Sequence, residues 1–121
     1  MRVRRAFGEY GMRNLFLVGV MLALAGCAKS PESIAPAYVS PLAYKSYNCD
    51  VLTSEHARVT GALASASAQQ EKARGNDIAG VILLGLPVST LSGDNVAPQV
   101  AQLKGEKETL EKTMIEKSCK S

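Results

Sequence analysis

The chain has 121 residues, 46% of them hydrophobic, with no Trp and only two Phe, which excludes more than one small domain with a modest core. Its formal net charge of +3 lies within residues 1–26, which hold four Arg and one Glu. Without that segment the chain is formally neutral, which excludes nucleic acid or anionic lipid as an electrostatic partner.

Residues 1–26 have the three regions of a secretory signal peptide. A basic start at residues 1–5 is followed by the apolar run 15–24 and then by small residues. The run is shorter than the roughly 20 residues that a membrane-spanning helix needs. We therefore predict a cleaved signal helix over 1–26. Met12 is an alternative start, because residues 12–27 alone contain a charged head and an apolar run.

The apolar run ends in a short motif that resembles the lipobox of bacterial lipoprotein precursors, namely Leu24, Ala25, Gly26 and Cys27. The resemblance implies that the Cys27 thiol receives a diacylglyceryl group and that a peptidase recognises residues 24–26 and cleaves before Cys27. Two acyl chains, commonly with a third such as palmitate on the amine, form a stable anchor, since each buried methylene contributes about 0.8 kcal/mol. The alternative is an ordinary signal peptide that happens to contain a cysteine.

The residue after Cys27 bears on the destination of the protein. In enteric bacteria an Asp at this position favours retention in the inner membrane, whereas this chain has Ala28. By that resemblance we expect an outer-membrane lipoprotein that faces the periplasm.

Two cysteines, Cys49 and Cys119, remain once Cys27 is assigned to lipid. In a chain exported to an oxidising compartment we expect them to form a disulfide. Closing a loop of about 70 residues would stabilise the fold by roughly 4 kcal/mol if the bridge acts on the entropy of the unfolded chain. Metal ligation is less favoured, because a zinc site requires two further ligands at short spacing. We predict neither metal nor cofactor.

Residues 27–47 have the composition of a linker, with prolines at positions 31, 36 and 41. Such Xaa-Pro steps favour extended backbone, so we predict a lipidated tether that holds the folded part off the bilayer. We expect Tyr38, Tyr44 and Tyr47 to pack on the first helix or to lie near the lipid headgroups.

Residues 48–121 are predicted to form a small helical domain. One stripe of a helix over residues 49–74 holds Cys49, Leu52, His56, Val59, Leu63, Ala66, Gln70 and Ala73, and Gly75-Asn76 should end that helix.

A second helix should begin after Asp94 or Asn95 as its cap, with Pro98 in the first turn. Its apolar stripe, which Lys107 interrupts, holds Val96, Val100, Leu103, Leu110 and Met114. Antiparallel packing of the two helices brings Cys49 and Cys119 to the same end. We therefore predict an all-α fold, a disulfide-clasped antiparallel helical hairpin.

The segment between these helices is apolar without a break from residue 78 to residue 86. The first interpretation is a short third helix over 77–86, ended by Pro87, that completes the core. The second is a tip that contacts the membrane, and the third is a contact with a protein partner or a second copy. The residues that would make either contact are Ile78, Val81, Ile82, Leu83, Leu84 and Leu86.

The mature chain also resembles a group of small proteobacterial lipoproteins without established function. The resemblance is carried by Tyr47, Cys49, Leu52, Glu55, the apolar segment after Asn76-Asp77, Gly93-Asp94, the run Leu103-Lys104-Gly105-Glu106, and Cys119.

The sequence does not indicate an enzyme. His56 is the only histidine, its neighbours Asp50 and Glu55 do not face it on a helix, and no serine has a Gly-x-Ser-x-Gly setting. We predict a lipoprotein with a structural or protein-interaction role in the bacterial cell envelope. One alternative is an exclusion or immunity lipoprotein that blocks a phage or plasmid transfer. Another is an accessory lipoprotein of an envelope transport or secretion complex.

Overall fold

The computed structural model describes residues 28–120, which are all-helical and contain no strand. Two short 3-10 turns, Pro31–Ser33 and Pro41–Tyr44, precede the helices α1 (Cys49–Leu84), α2 (Val88–Ser92) and α3 (Ala97–Glu116). The predicted all-α class is confirmed. The predicted signal peptide, the recognition residues 24–26 and the lipidation of Cys27 lie outside the described residues.

Helices α1 and α3 form the predicted antiparallel hairpin. Cys49 at the start of α1 is bonded to Cys119 just after α3, with their Cα atoms 5.4 Å apart. At the other end of α3, the Val96 amide donates a hydrogen bond to the Gln70 side chain at 2.8 Å. The predicted disulfide is therefore confirmed, and it closes the end of the hairpin at which α1 begins.

The core lies between α1, α3 and the preceding segment. It contains the predicted stripe positions of both helices together with two earlier side chains, which are Leu52, Val59, Ala66, Val100, Leu103, Leu110, Ile34 and Tyr44. Val96 and Met114 are partly buried against this cluster. Both predicted helical stripes thus face the interior.

Helix α1 is longer than the sequence suggested. It does not end at Gly75 and Asn76, which are both exposed, but continues to Leu84. Ala73 and Asp77, on either side of this pair, are buried on the same stripe. Packing along that stripe outweighs the low helix propensity of Gly and Asn, which is worth about 1 kcal/mol or less per residue.

The end of α1 instead lies at Gly85, whose φ of 71° is in the left-handed region. The Gly85 amide donates to the Val81 carbonyl at 3.0 Å, and the Leu86 amide donates to the Gly80 carbonyl at 3.4 Å. This arrangement is a common helix terminus that glycine favours. The predicted third helix over 77–86 is thus the last part of α1, and the short separate helix is α2.

Helix α3 begins close to the predicted position. Pro98 lies in its first turn, where a missing amide hydrogen costs little. The cap residue is Val96 rather than Asp94 or Asn95. The Asn95 side chain nevertheless accepts a hydrogen bond from the Ala97 amide at 3.1 Å, so the asparagine still satisfies one free amide of the first turn.

Residues 28–47, here called the strap, contain the two 3-10 turns joined by non-helical backbone, and they lie along the hairpin instead of projecting from it. The Ala37 amide donates to the Ala101 carbonyl at 2.8 Å. The Lys104 ammonium donates to the Pro31 and Ile34 carbonyls at 2.5 and 2.8 Å. Further contacts are Thr109 with the Val39 carbonyl and Lys117 with the carbonyls of Lys45 and Tyr47. The described part of this segment is therefore a component of the fold and not a free spacer.

Two of the three strap tyrosines pack as expected. Tyr44 is buried in the core, and its ring meets the Tyr47 ring edge to face at a centroid distance of 5.7 Å. Tyr38 is 86% exposed and does not pack on the first helix.

The strap approaches α3 most closely at Gly105. A Cβ atom on this buried residue would collide with the Ala37 carbonyl and would lie 3.1 Å from the Val39 side chain. By contrast, Gly61 in the middle of α1 is exposed, and a Cβ atom there would meet nothing within 4 Å. Only the first glycine is required by the packing.

These two glycines make a matched pair of variants. We expect Gly105→Ala to lower the free energy of unfolding by about 1–3 kcal/mol, because the strap must move away from α3. We expect Gly61→Ala to raise it by about 0.5–1 kcal/mol through helix propensity alone. Urea denaturation followed by circular dichroism measures both changes. Stabilisation by both substitutions would show that the strap does not dock at Gly105.

Candidate functional site

The exposed apolar side chains concentrate at the end of the hairpin opposite the disulfide. We call this the apolar tip and define it as Ile82, Leu83, Leu84, Leu86 and Leu91, which are 53–79% exposed. Ile78 and Val88 beside it are also exposed, whereas Val81 is half-buried. The tip therefore comprises the last turn of α1, the following turn and part of α2.

The exposure of the tip corrects the interpretation of residues 77–86 as a helix that completes the core. The Leu84 side chain is 70% exposed and therefore does not belong to the core, whereas Leu110 is fully buried in it. The physical reason is that the buried stripe of α1 ends at Asp77 and Gly80, so the apolar residues beyond it have no facing helix. Contact with a membrane or a partner stays a prediction for these side chains.

The tip has no formal charge. Between Asp77 and Asp94 the sequence contains no Asp, Glu, Lys, Arg or His. Within residues 28–120, no helix combines the length and the apolar character needed to cross a membrane.

A buried carboxylate, Asp77, supports the base of the tip. Its Oδ1 accepts hydrogen bonds from the Ser89 amide at 2.6 Å and from the Thr90 amide at 3.3 Å. Its Oδ2 accepts from the Thr90 hydroxyl at 2.9 Å and from the Ala28 amide at 2.9 Å. One side chain of α1 thus fixes both the first turn of α2 and the first described residue of the strap.

Two opposing effects act on the pKa of Asp77. Burial alone would raise it, because a charged carboxylate loses its hydration. The hydrogen bonds from Ser89, Ala28 and Thr90 outweigh this effect and lower the pKa below its ordinary value of 3.8. The carboxylate is therefore ionised at neutral pH.

We expect Asp77→Ala to lower the free energy of unfolding by about 1–3 kcal/mol at neutral pH, because the Ala28 and Ser89 amides lose their acceptor. Since the folded-state pKa is lowered, this stabilisation is present above the unfolded-state pKa and is lost as the pH falls through the folded-state pKa. The difference between the natural protein and the variant should therefore narrow as the pH falls from about 5 towards 2.

Urea denaturation across this pH range measures the effect. Asp94→Ala is the matched control, because Asp94 is exposed and accepts a hydrogen bond from the Ser92 hydroxyl outside the cluster. A constant difference between Asp77→Ala and the natural protein at every pH would contradict the assignment of the stabilising charge to Asp77.

A second polar cluster bridges the helices near the disulfide. His56 Nε2 lies 3.0 Å from Glu111 Oε1, and the Lys107 ammonium donates to the same oxygen at 2.7 Å. The hydrogen bonds from Lys107 and His56 lower the pKa of Glu111. The arrangement can orient the imidazole and couples α1 to α3.

Sequence reasoning missed this pairing because it compared His56 only with its neighbours in the chain. A usable signal was present in the hairpin register. His56 lies seven residues after Cys49, and Glu111 lies eight residues before Cys119, so the disulfide places them near one another. Lys107, expected to interrupt the apolar stripe of α3, lies at its edge with its ammonium on Glu111.

The described residues define a disulfide-clasped helical hairpin with a docked strap and an uncharged apolar tip. No protein-family model, no curated protein sequence and no solved structure matches this chain. Its function has to be inferred from its own residues and their geometry.

Proposed function

We propose that this chain is a bacterial lipoprotein, anchored through Cys27 to the outer membrane and facing the periplasm, with a structural or protein-interaction role in the cell envelope. The observation that carries the proposal is the lipobox-like run of residues 24–27 after a basic start and an apolar segment. This signal lies directly before Ala28, the first described residue of the packed strap.

The disulfide supports the proposed compartment. Cys49 and Cys119 close the hairpin, and such bonds form and persist where the environment is oxidising, as in the bacterial periplasm. Cys27 is the one cysteine outside this bond. Its thiol is therefore available to a lipid.

Ala28 fits both the proposed sorting and the fold. By resemblance to enteric lipoproteins, a residue other than Asp at this position favours the outer membrane. In the structure Ala28 is buried and its amide donates to Asp77. A small side chain at this position therefore also suits the packing of the strap.

A structural or interaction role is supported by what the buried polar groups do. Gln70 contacts the Lys29 carbonyl and the Val96 amide, and Asp77 contacts the strap and α2. Lys104 binds two strap carbonyls. These groups keep one rigid shape, which suits a protein that presents a fixed surface while it is attached to a membrane.

Metabolic labelling tests the anchor. We expect the full chain, expressed in Gram-negative cells fed an alkyne-tagged palmitate, to incorporate the label and to fractionate with the outer membrane. Cys27→Ser should abolish labelling and leave the uncleaved precursor, because both processing steps need the thiol. The mass of the mature N-terminus identifies the attached lipid.

The matched control is a Cys49→Ser/Cys119→Ser double variant, which keeps Cys27 and lacks the disulfide. It should be labelled like the natural protein. An unlabelled natural protein that is cleaved and released to the periplasm would contradict the lipoprotein assignment, since this is how an ordinary secreted protein behaves.

The interaction role has its own test. We expect the lipidated protein, crosslinked in intact cells and purified from gently solubilised envelope, to retain a partner of fixed stoichiometry or a second copy of itself. The Gly105→Ala variant, in which the strap is displaced, should retain less. Recovery of only the single chain under all crosslinking conditions would contradict an interaction role.

A further inference from the structure

The point at which the proposed lipid anchor meets the fold is held rigidly. The Ala28 amide donates to the buried Asp77 carboxylate at 2.9 Å, and the Lys29 carbonyl accepts from the Gln70 side chain at 2.9 Å. Cys27 directly precedes Ala28 in the sequence, so a lipid on its thiol would be attached one residue from this contact. No flexible spacer separates the proposed lipidation site from the hairpin.

The apolar tip lies just beyond this point along α1. Leu84 follows Asp77 by seven residues, which at a rise of about 1.5 Å per residue is a distance of about 10 Å. This distance matches the depth of about 5–10 Å to which apolar side chains of interfacial helices enter a bilayer. The opposite end of the hairpin, with the disulfide, lies away from the anchor.

The distribution of charge agrees with shallow insertion. Residues 78–93 carry no charge. The carboxylate that borders this segment, Asp77, is buried and hydrogen-bonded. The next charged residues are Lys29 on the strap, Arg74 on α1 and Asp94 after α2, and the Arg74 guanidinium is paired with Glu71 at 2.9 Å. Charge therefore begins where a hairpin that stands on its tip would leave the apolar part of the membrane.

We propose that the apolar tip inserts shallowly into the same lipid leaflet that holds the acyl chains of Cys27. The inference rests on the proposed lipidation. We assign the apolar tip to the bilayer surface and not to a second copy of the chain. The contact of Ala28 with Asp77 would hold the lipid anchor beside the tip, and the anchor would hold the bilayer surface there. The hairpin is then held by two adjacent attachments and has a defined orientation on the membrane.

Tryptophan fluorescence tests this contact, since the chain contains no Trp of its own. The lipidated full-length variant Leu84→Trp is reconstituted into phosphatidylethanolamine and phosphatidylglycerol vesicles, with and without acyl-brominated phosphatidylcholine. We expect a blue-shifted emission and a roughly twofold loss of intensity in the brominated vesicles, because bromine quenches at the depth that interfacial side chains reach.

The matched control is Ile115→Trp, at the disulfide end. Ile115 is 77% exposed and Leu84 is 70% exposed, so the two reporters differ in position more than in exposure. The control should keep its red-shifted emission and full intensity in both kinds of vesicle. If Leu84→Trp lowers the melting temperature, Leu83→Trp at 79% exposure replaces it.

The mass of the N-terminal peptide from the same reconstituted sample shows whether Cys27 carries a lipid. This measurement separates the proposed lipidation from the proposed tip contact. A Cys27 that carries no lipid overturns the proposed function and the tip contact with it. A lipidated protein whose tip reporter is unquenched overturns the tip contact alone. A blue shift without quenching, in a sample that crosslinks as a dimer, shows that a second copy covers the tip and also overturns the proposed insertion.

Discussion

The hydrogen bonds of the buried Asp77 carboxylate are the interaction on which the tip end of the hairpin depends. An ionised group without water must be satisfied by hydrogen bonds, and Asp77 obtains them from Ala28, Ser89 and Thr90. These donors belong to the first residue of the strap and to α2, a helix of five residues. The hydrogen bonds to this one carboxylate on α1 fix the positions of both segments, and α2 in turn holds part of the apolar tip.

Along the rest of the hairpin, the strap and the two long helices depend on each other for packing and hydrogen bonds. Its core side chains Ile34 and Tyr44 fill space that two narrow helical stripes leave open. Its carbonyl groups are satisfied by Lys104 and Lys117, long side chains that reach from α3. A hairpin with a core dominated by Leu, Val and Ala therefore gains a third layer without a third long helix. If Cys27 is lipidated as proposed, this layer also means that no free linker lies between the lipid and the fold.

The features that could be predicted from the sequence are those that depend on the spacing of apolar residues or on the pairing of a few cysteines. The stripes of α1 and α3 repeat every three or four residues, and Cys119 was the one partner left for Cys49 once Cys27 was predicted to carry lipid. The continuation of α1 through Gly75 and Asn76 was not predictable from propensity, because packing decides it. The contact of Ala28 with Asp77 joins residues 49 positions apart, and nothing in the local sequence marks it. The exposure of Leu84 follows from the same cause, since only the fold shows where the partner helix ends.

Attachment at both Cys27 and the tip would orient α1 along the membrane normal. Asp77 follows Cys49 by 28 residues, which places the disulfide end about 40 Å from the level of the anchor if the helix stands upright. The most distant surface is then the end where Cys49–Cys119, His56 and Glu111 tie the helices together. A covalent clasp would be most useful there, because a bilayer contact at the tip would constrain only the opposite end. A protein partner in the periplasm would therefore contact the disulfide end first. The two attachments would give the hairpin an orientation that the lipid alone could not fix.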